Sequence, residues 1–381
     1  MTVTHSPQRR RLLAGTAAAL GVCAALPLRA QATVTDLAGR SVRVPAKAER
    51  ILLGEGRLLY TLALLEGKAP LARIAGWQGD LRKLDPQTYG LYRARFPEID
   101  RIPLIGNTSE DSVSPEKVLM LKPDIAVFSL IGHGPGRRNP VVEQLEKSGV
   151  PVVFVDFRQQ PVANTVPSLR VLGQALGRQG EAERFIAFYE AEKRRVTEVA
   201  ERIPAAERPS VFLDVRAGAF PGLMTAGKGN LGELVTLAGG ANLGDSLVPT
   251  TMGEASLEAV VARAPQVYIA TGTYEPGTKA VGLQMGAAVD EATARAALRA
   301  TALRRPEVAA LPAVRNGRVH GAWHHFYNTA YHVVLLQAFA KWQHPARYAA
   351  LDPLKTWREM HERFLAVPPD GSYWVSLNPA G

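Results

Sequence analysis

Cysteine is almost absent from this chain: one residue, Cys23, in 381. It lies in the segment read below as an export signal, so the mature protein is expected to carry none. That excludes disulfides, thiolate metal sites and a cysteine nucleophile. Catalytic signatures are missing as well. There is no G-x-S-x-G elbow, no H-E-x-x-H helix, no Walker loop and no G-x-G-x-x-G after a strand. Gly227-Lys228-Gly229 echoes a phosphate loop but lacks the preceding glycine and the following Ser or Thr. The expectation is a protein that is not an enzyme. Basic patches with interleaved aromatics are also lacking. The formal charge of +10 falls to +6 once Arg9, Arg10, Arg11 and Arg29 are set aside, too mild an excess to argue for nucleic acid.

What is present at the start is a targeting segment, residues 1–32. Arg9-Arg10-Arg11 precedes an apolar run from Leu12 to Leu26, and Ala30-Gln31-Ala32 makes an A-x-A cleavage site. The run is too short and too weakly apolar to span a bilayer. Twin arginines followed by Leu12-Leu13 resemble a Tat export signal, although Ala14 stands where a Lys is usual. The expected location is the periplasm, with the signal cleaved near Ala32. Val22 before Cys23 argues against a lipid anchor, because a lipobox wants a small residue there.

The mature chain is organised around GRQGEAERFIAFYEAEKRRVTEVAERIP, residues 177–204. Ala182, Phe185, Ile186, Tyr189, Val196, Val199, Ala200 and Ile203 recur at helical spacing, with charges on the other face, so one long amphipathic helix is expected. Its flanks repeat each other. SPEKVLMLKPDIAVFS and SLEAVVARAPQVYIAT align Ser114 with Ser256, Glu116 with Glu258, Val118 with Val260 and Pro123 with Pro265, always 142 residues apart. Each copy reads as a Ser N-cap, a first-turn Glu, a short helix ended by Pro and a buried strand. The predicted fold is α/β: two duplicated lobes with mainly parallel sheets, 33–176 and 205–381, joined by a rigid helix with a ligand cleft between them. Composition permits this, since 46% hydrophobic residues suffice for a core in each lobe. A helix is also expected from Gly227 to Ala238, and an amphipathic one from His325 to Trp342.

Ligands of open α/β sheets bind beyond the carboxyl ends of the strands. Residues following predicted strands are Glu55, Arg57, Trp77, His133, Arg137, Arg138 and Arg158 in the first lobe. In the second they are Arg216 with Phe220, Thr273 with Tyr274, and Trp323, His324, His325 and Tyr327. Arginines and aromatics dominate, which suits an anionic or flat ligand. Arg57, Trp77, His133, Arg137, Arg138, Arg158, Arg216, Tyr274, Trp323, His324 and Tyr327 are the ligand-site candidates. Metal capture by His133, His324 and His325 is the competing reading, but adjacent histidines point apart and no second ligand pair accompanies them. Glu116 and Glu258 are helix-dipole partners whose repetition suggests a surface pair for a two-fold partner.

In its order of motifs the sequence resembles the exported substrate-binding proteins of the iron-siderophore and cobalamin ABC importer family. VTDLAGRSVRVPAKAERILL, SPEKVLMLKPDIAVFS, GKGNLGELVTLAGGANL and SLEAVVARAPQVYIATG carry the resemblance, which covers nearly all of 33–375. It implies a monomer with no cofactor of its own, a cleft that moves little on binding, and one glutamate per lobe, here Glu116 and Glu258, docking on an ABC permease dimer. The implied cargo is a ferric siderophore or related iron chelate, with haem, cobalamin or a bare Zn or Mn ion as alternatives and an exported hydrolase as the remaining one. The block from Ala322 to Leu377 is longer than simple members need and is expected to cap the cleft or pack on the first lobe.

Overall fold

Short β-branched and aromatic runs become strands here, and those in the middle of the two five-stranded sheets are buried because both faces of these sheets are covered. The computed structural model describes residues 1–3, 32–108, 112–134, 139–274 and 282–378. Apart from its first three residues and Ala32, the expected export signal, including Cys23, lies outside them, as do Arg137 and Arg138. The fold belongs to the unit Gln31–Gly381, distinct from the unit Met1–Ala30.

An antiparallel hairpin of β1 (Ala32–Thr35) and β2 (Ser41–Val44) turns at Gly39, whose φ of +75° suits glycine. β3 (Ile51–Leu53), β4 (Ile74–Gln78), β5 (Leu104–Gly106), β6 (Ile125–Ser129) and β7 (Val152–Val155) then form an all-parallel sheet in the order 5-4-3-6-7. Alternation sorts its side chains. Leu52, Ala126, Phe128, Val152 and Phe154 enter a small core, while Ile51, Leu53, Ile125, Val127, Val153 and Val155 enter a large one on the opposite face.

The second half contributes β8 (Ser210–Asp214), β9 (Leu223–Ala226), β10 (Ala241–Asn242), β11 (Met252–Ala255), β12 (Val267–Gly272), β13 (Val319–Trp323) and β14 (Trp374–Ser376). Its sheet runs 10-8-12-13-14, parallel except for β14, and β9 pairs with β11 as a separate antiparallel ribbon. That ribbon is not anticipated by the sequence reading. It takes up the approach to the helix expected from Gly227, which starts instead at Asn230.

The connecting helix is Gln179–Ala200, about 33 Å long at 1.5 Å per residue. Gly177 ends the preceding helix, Pro161–Leu176, in a left-handed C-cap. Ala182, Phe185, Ile186, Phe188, Tyr189, Val196 and Ala200 are buried. The helix is clamped by the C-terminal block: Glu192 accepts from Gln337 Nε2 at 2.6 Å and Thr356 Oγ1 at 3.2 Å, and Tyr189 Oη lies 2.8 Å from His332 Nε2. The large core is continuous from the first sheet through this helix to the second sheet.

The expected amphipathic helix from His325 to Trp342 needs correction. A 3-10 turn, His324–Asn328, precedes a helix His332–Gln343 that is buried on every side from His332 to Ala340. It is enclosed because the block packs on the first lobe. Tyr331 Oη donates to Tyr60 O at 2.8 Å, and His325 Nε2 donates to Leu84 O at 3.0 Å.

Candidate functional site

Each sheet has a point where strand order reverses, between β3 and β6 in the first and between β8 and β12 in the second. Crevices open at the carboxyl ends of such strands. Glu55 and Arg57 follow β3, Arg158 follows β7, Arg216 follows β8, and His324 and Tyr327 follow β13. Two of the expected arginines converge there on Tyr327. Arg57 Nη1 donates to Tyr327 Oη at 2.5 Å, and the Arg57 and Arg158 guanidinium carbons lie 5.8 and 5.0 Å from the ring centre. His324 stacks on the same ring, with centroids 4.6 Å apart. Arg216 joins through Thr271 and covers the exposed ring of Phe220 at 5.2 Å.

The arginines are held differently. Arg57 is buried, and Asp80 beyond β4 fixes it: Asp80 accepts from Arg57 Nε at 2.7 Å and from the Gly56 amide at 2.5 Å. Gly56 is needed for that approach, since a Cβ there would stand 2.5 Å from the Gln78 carbonyl oxygen. Arg158 is half-buried, and its guanidinium makes no ion pair among the described residues. Arg216 sits at φ +50°, a left-handed conformation uncommon outside glycine.

Both histidines are neutral. Burial first, then His325, Arg216, Arg57 and Arg158, hold the His324 imidazole well below its ordinary range. Burial and Arg57 take His325 down to about 3. The Thr271 hydroxyl accepts from the Arg216 amide at 2.9 Å and lies 3.1 Å from His324 Nδ1. Guanidinium groups, a phenol whose proton is free once Arg57 donates to its oxygen, and an imidazole N–H make an array rich in hydrogen-bond donors. Such an array can bind anions and flat rings. Among the described residues no group of three or more His, Cys, Asp or Glu is placed to hold a metal ion.

Three expected site residues are elsewhere. Trp77, 2% exposed, points into the large core from β4. Trp323, 1% exposed, is packed edge-on against Tyr60, Phe326 and Tyr373. His133 lies against Phe128 in the small core, with Asn139 Nδ2 2.7 Å from its Nδ1. In each case the inward face of the strand or turn, rather than its end, sets the direction. Tyr274 is exposed just beyond β12. Asp80 and Thr271 were missed. Asp80 follows a strand within Gly79-Asp80, a signal available in the sequence, whereas Thr271 is hidden inside an apolar strand.

The repeated glutamates occupy matched places. Helices Pro115–Met120 and Leu257–Arg263 lead into β6 and β12, each flanked by strands on both sides in its sheet. Ser114 and Ser256 cap them, accepting from the Lys117 and Ala259 amides. Ser114 Oγ and Ser256 Oγ donate to Glu116 and Glu258 at 2.8 and 2.7 Å. Both carboxylates are exposed and held below the usual range, Glu116 by its own amide and Ser114, Glu258 by Ser256 and its own amide.

A family model described as periplasmic binding protein matches residues 61–322. Among solved structures, the TroA-like periplasmic binding protein FepB from Veillonella parvula superposes with a TM-score of 0.83 at 23% identity, over 91% of this chain and 99% of that one. The periplasmic protein MolA of a Haemophilus influenzae ABC transporter, bound to molybdate, gives 0.68 at 18% identity, over 90% and 100%. Both likenesses show the fold. A curated relative, the uncharacterized ABC transporter substrate-binding lipoprotein YvrC of Bacillus subtilis (strain 168), is 25% identical over 131 residues. That match takes in 34% of this chain and 39% of the relative's length.

Proposed function

The chain belongs to the periplasmic binding protein family, and from that premise we propose that its cleft binds a ferric siderophore or related anionic iron chelate and delivers it, chemically unchanged, to an ABC permease. The observation that carries this reading is the convergence of Arg57, Arg158 and His324, from both halves of the chain, on the ring of Tyr327, with Arg216 over Phe220 nearby in sequence. A cleft dominated by donors suits capture of an anionic ligand. The rings favour a flat ligand: Tyr327 is framed by two guanidiniums, and Phe220 and Tyr274 are exposed on the second lobe.

A small oxyanion is the second reading, because the molybdate-bound neighbour shares the fold and the same donors would serve it. Direct capture of a bare ion draws no support from His133, which lies in the small core, nor from His325, whose Nε2 is committed to Leu84 O. Glu116 and Glu258 serve as the permease-docking pair, exposed and matched on the two lobes. The protein works in the periplasm as a monomer after cleavage near Ala32, the residue at which β1 begins.

Tryptophan fluorescence of the mature protein, titrated with ferric catecholate, carboxylate and hydroxamate siderophores, haem, cobalamin, molybdate and bare Zn and Mn, tests the reading. Saturable binding of one chelate class below about 1 μM, roughly −8 kcal/mol, supports it. Response to molybdate alone moves the oxyanion reading forward, and response to a bare ion alone refutes the chelate.

A further inference from the structure

Among the donors of the cleft stands one acceptor. Glu55 follows β3, a strand flanked by neighbours on both sides in the first sheet, and is 7% exposed. Its carboxylate reaches Arg57 Nη2 only at 3.8 Å, beyond hydrogen-bonding distance, and accepts no hydrogen bond among the described residues. Asp80 shows the contrast. More deeply buried, it takes the Arg57 Nε and Gly56 amide protons. Glu55 adds to that hold only as a longer ion pair.

Neither Glu55 oxygen is among the fully buried side-chain atoms without a partner, so the carboxylate stays open to a donor from outside the protein. Its ionic partner among the described residues is Arg57, at 3.8 Å. Arg57 already answers to Asp80, and its Nη1 is given to Tyr327. Beside a site for anions, an extra carboxylate weakens a purely anionic ligand by like-charge repulsion, unless the ligand brings its own donor to that point.

We propose that Glu55 is a specificity-determining residue: it accepts a hydrogen bond from a cationic or strongly donating group of the cargo, so that the cleft selects a chelate bearing an ammonium beside its anionic groups. The inference rests on the reading of this cleft as a chelate site. Arg158, Arg216 and His324 take the anionic groups, and Glu55 takes the ammonium. A ligand carrying only negative charge is then discriminated against without any steric clash.

The test uses three ferric chelates: a trihydroxamate with one terminal carboxylate and one terminal ammonium, the same compound N-acetylated at the amine, and a tris-catecholate without an amine. The full mature chain is titrated as wild type, Glu55→Gln, Glu55→Asp and Arg158→Ala, with thermal unfolding recorded for each. Wild type is expected to prefer the free amine over the acetylated form by at least tenfold. Glu55→Gln should bring that ratio to near one and tighten tris-catecholate binding several-fold, and Glu55→Asp should keep part of the preference. Equal binding of the two trihydroxamates by wild type, or a preference that survives Glu55→Gln, overturns the role of Glu55. If Arg158→Ala leaves every affinity unchanged, the cleft reading fails and this inference with it. Loss of Arg158-dependent binding with no Glu55 effect refutes only the inference.

Discussion

Arg57 Nη1 donates to Tyr327 Oη at 2.5 Å across 270 residues of sequence, tying the residue after β3 to the turn after β13. Both partners are buried, so the bond is a cross-cleft tie as well as part of the ligand site. Tyr327→Phe keeps the ring and removes the acceptor. A buried hydrogen bond to a charged donor contributes about 2 kcal/mol, and urea unfolding should show a loss of that order with an unchanged m-value. An unaltered midpoint would mean that the two halves do not depend on this contact.

Arg216 is held at φ +50° next to the Thr271 hydroxyl. A left-handed backbone costs a non-glycine residue about 1 kcal/mol or more, and such strain is commonly retained where a side chain serves function. Arg216→Gly should therefore leave stability equal or slightly higher, while weakening chelate binding at least tenfold. Arg216→Ala should weaken binding as much without the gain in stability. A glycine variant that binds as well as wild type would remove Arg216 from the site.

Ser114 with Glu116 and Ser256 with Glu258 were legible because capping is local chemistry, written within three residues and repeated at one spacing. Arg57, Arg158, Arg216, His324 and Tyr327 were legible as residues that follow strands. Trp77 and Trp323 were misplaced for the converse reason. A one-residue step along a strand exchanges one face for the other, and sequence does not fix which residue is last. The donorless state of Glu55 and the clamp of Asp80 on Arg57 depend on two strands meeting, which no short stretch encodes. The helix after His332 looked amphipathic because Gln337 and His332 are polar, yet one polar atom of each finds a partner inside, Gln337 Nε2 in Glu192 and His332 Nε2 in Tyr189.

Glu116 and Glu258 touch neither core nor cleft. Replacing both with Gln removes charge but leaves the Ser114 and Ser256 caps in place. Unfolding midpoint and chelate affinity should match wild type, while uptake by cells carrying the cognate permease falls at least tenfold for the double variant and less for either single one. Unimpaired uptake by the double variant would exclude these carboxylates from docking.

Acid should unfold this protein through its histidines. Burial first of all lowers His320 and His325 to about 3 and His332 and His361 to about 4. Below the unfolded value of about 6.5 the unfolded chain protonates each imidazole and the folded chain does not, so stability present above that pH is lost as pH falls toward 4. Four such sites remove about 5 kcal/mol per pH unit, comparable with a typical domain stability of about 5 to 15 kcal/mol. Asp214 works in the opposite direction. Burial raises its carboxyl to about 6 despite the Tyr268 hydroxyl donating to it at 2.5 Å, so its contribution is present at low pH and lost as pH rises through 6. Asp80, Asp85 and Glu233 are raised by burial as well, while His324 and His344 are lowered, so imidazoles outnumber the opposing carboxyls and the net sign is unchanged. Urea midpoints measured at pH 7.5, 6.5 and 5.5 should drop steeply between the last two, and His320→Asn should make that drop shallower. A midpoint that stays level to pH 5.5 would show that these imidazoles take up protons in the folded state.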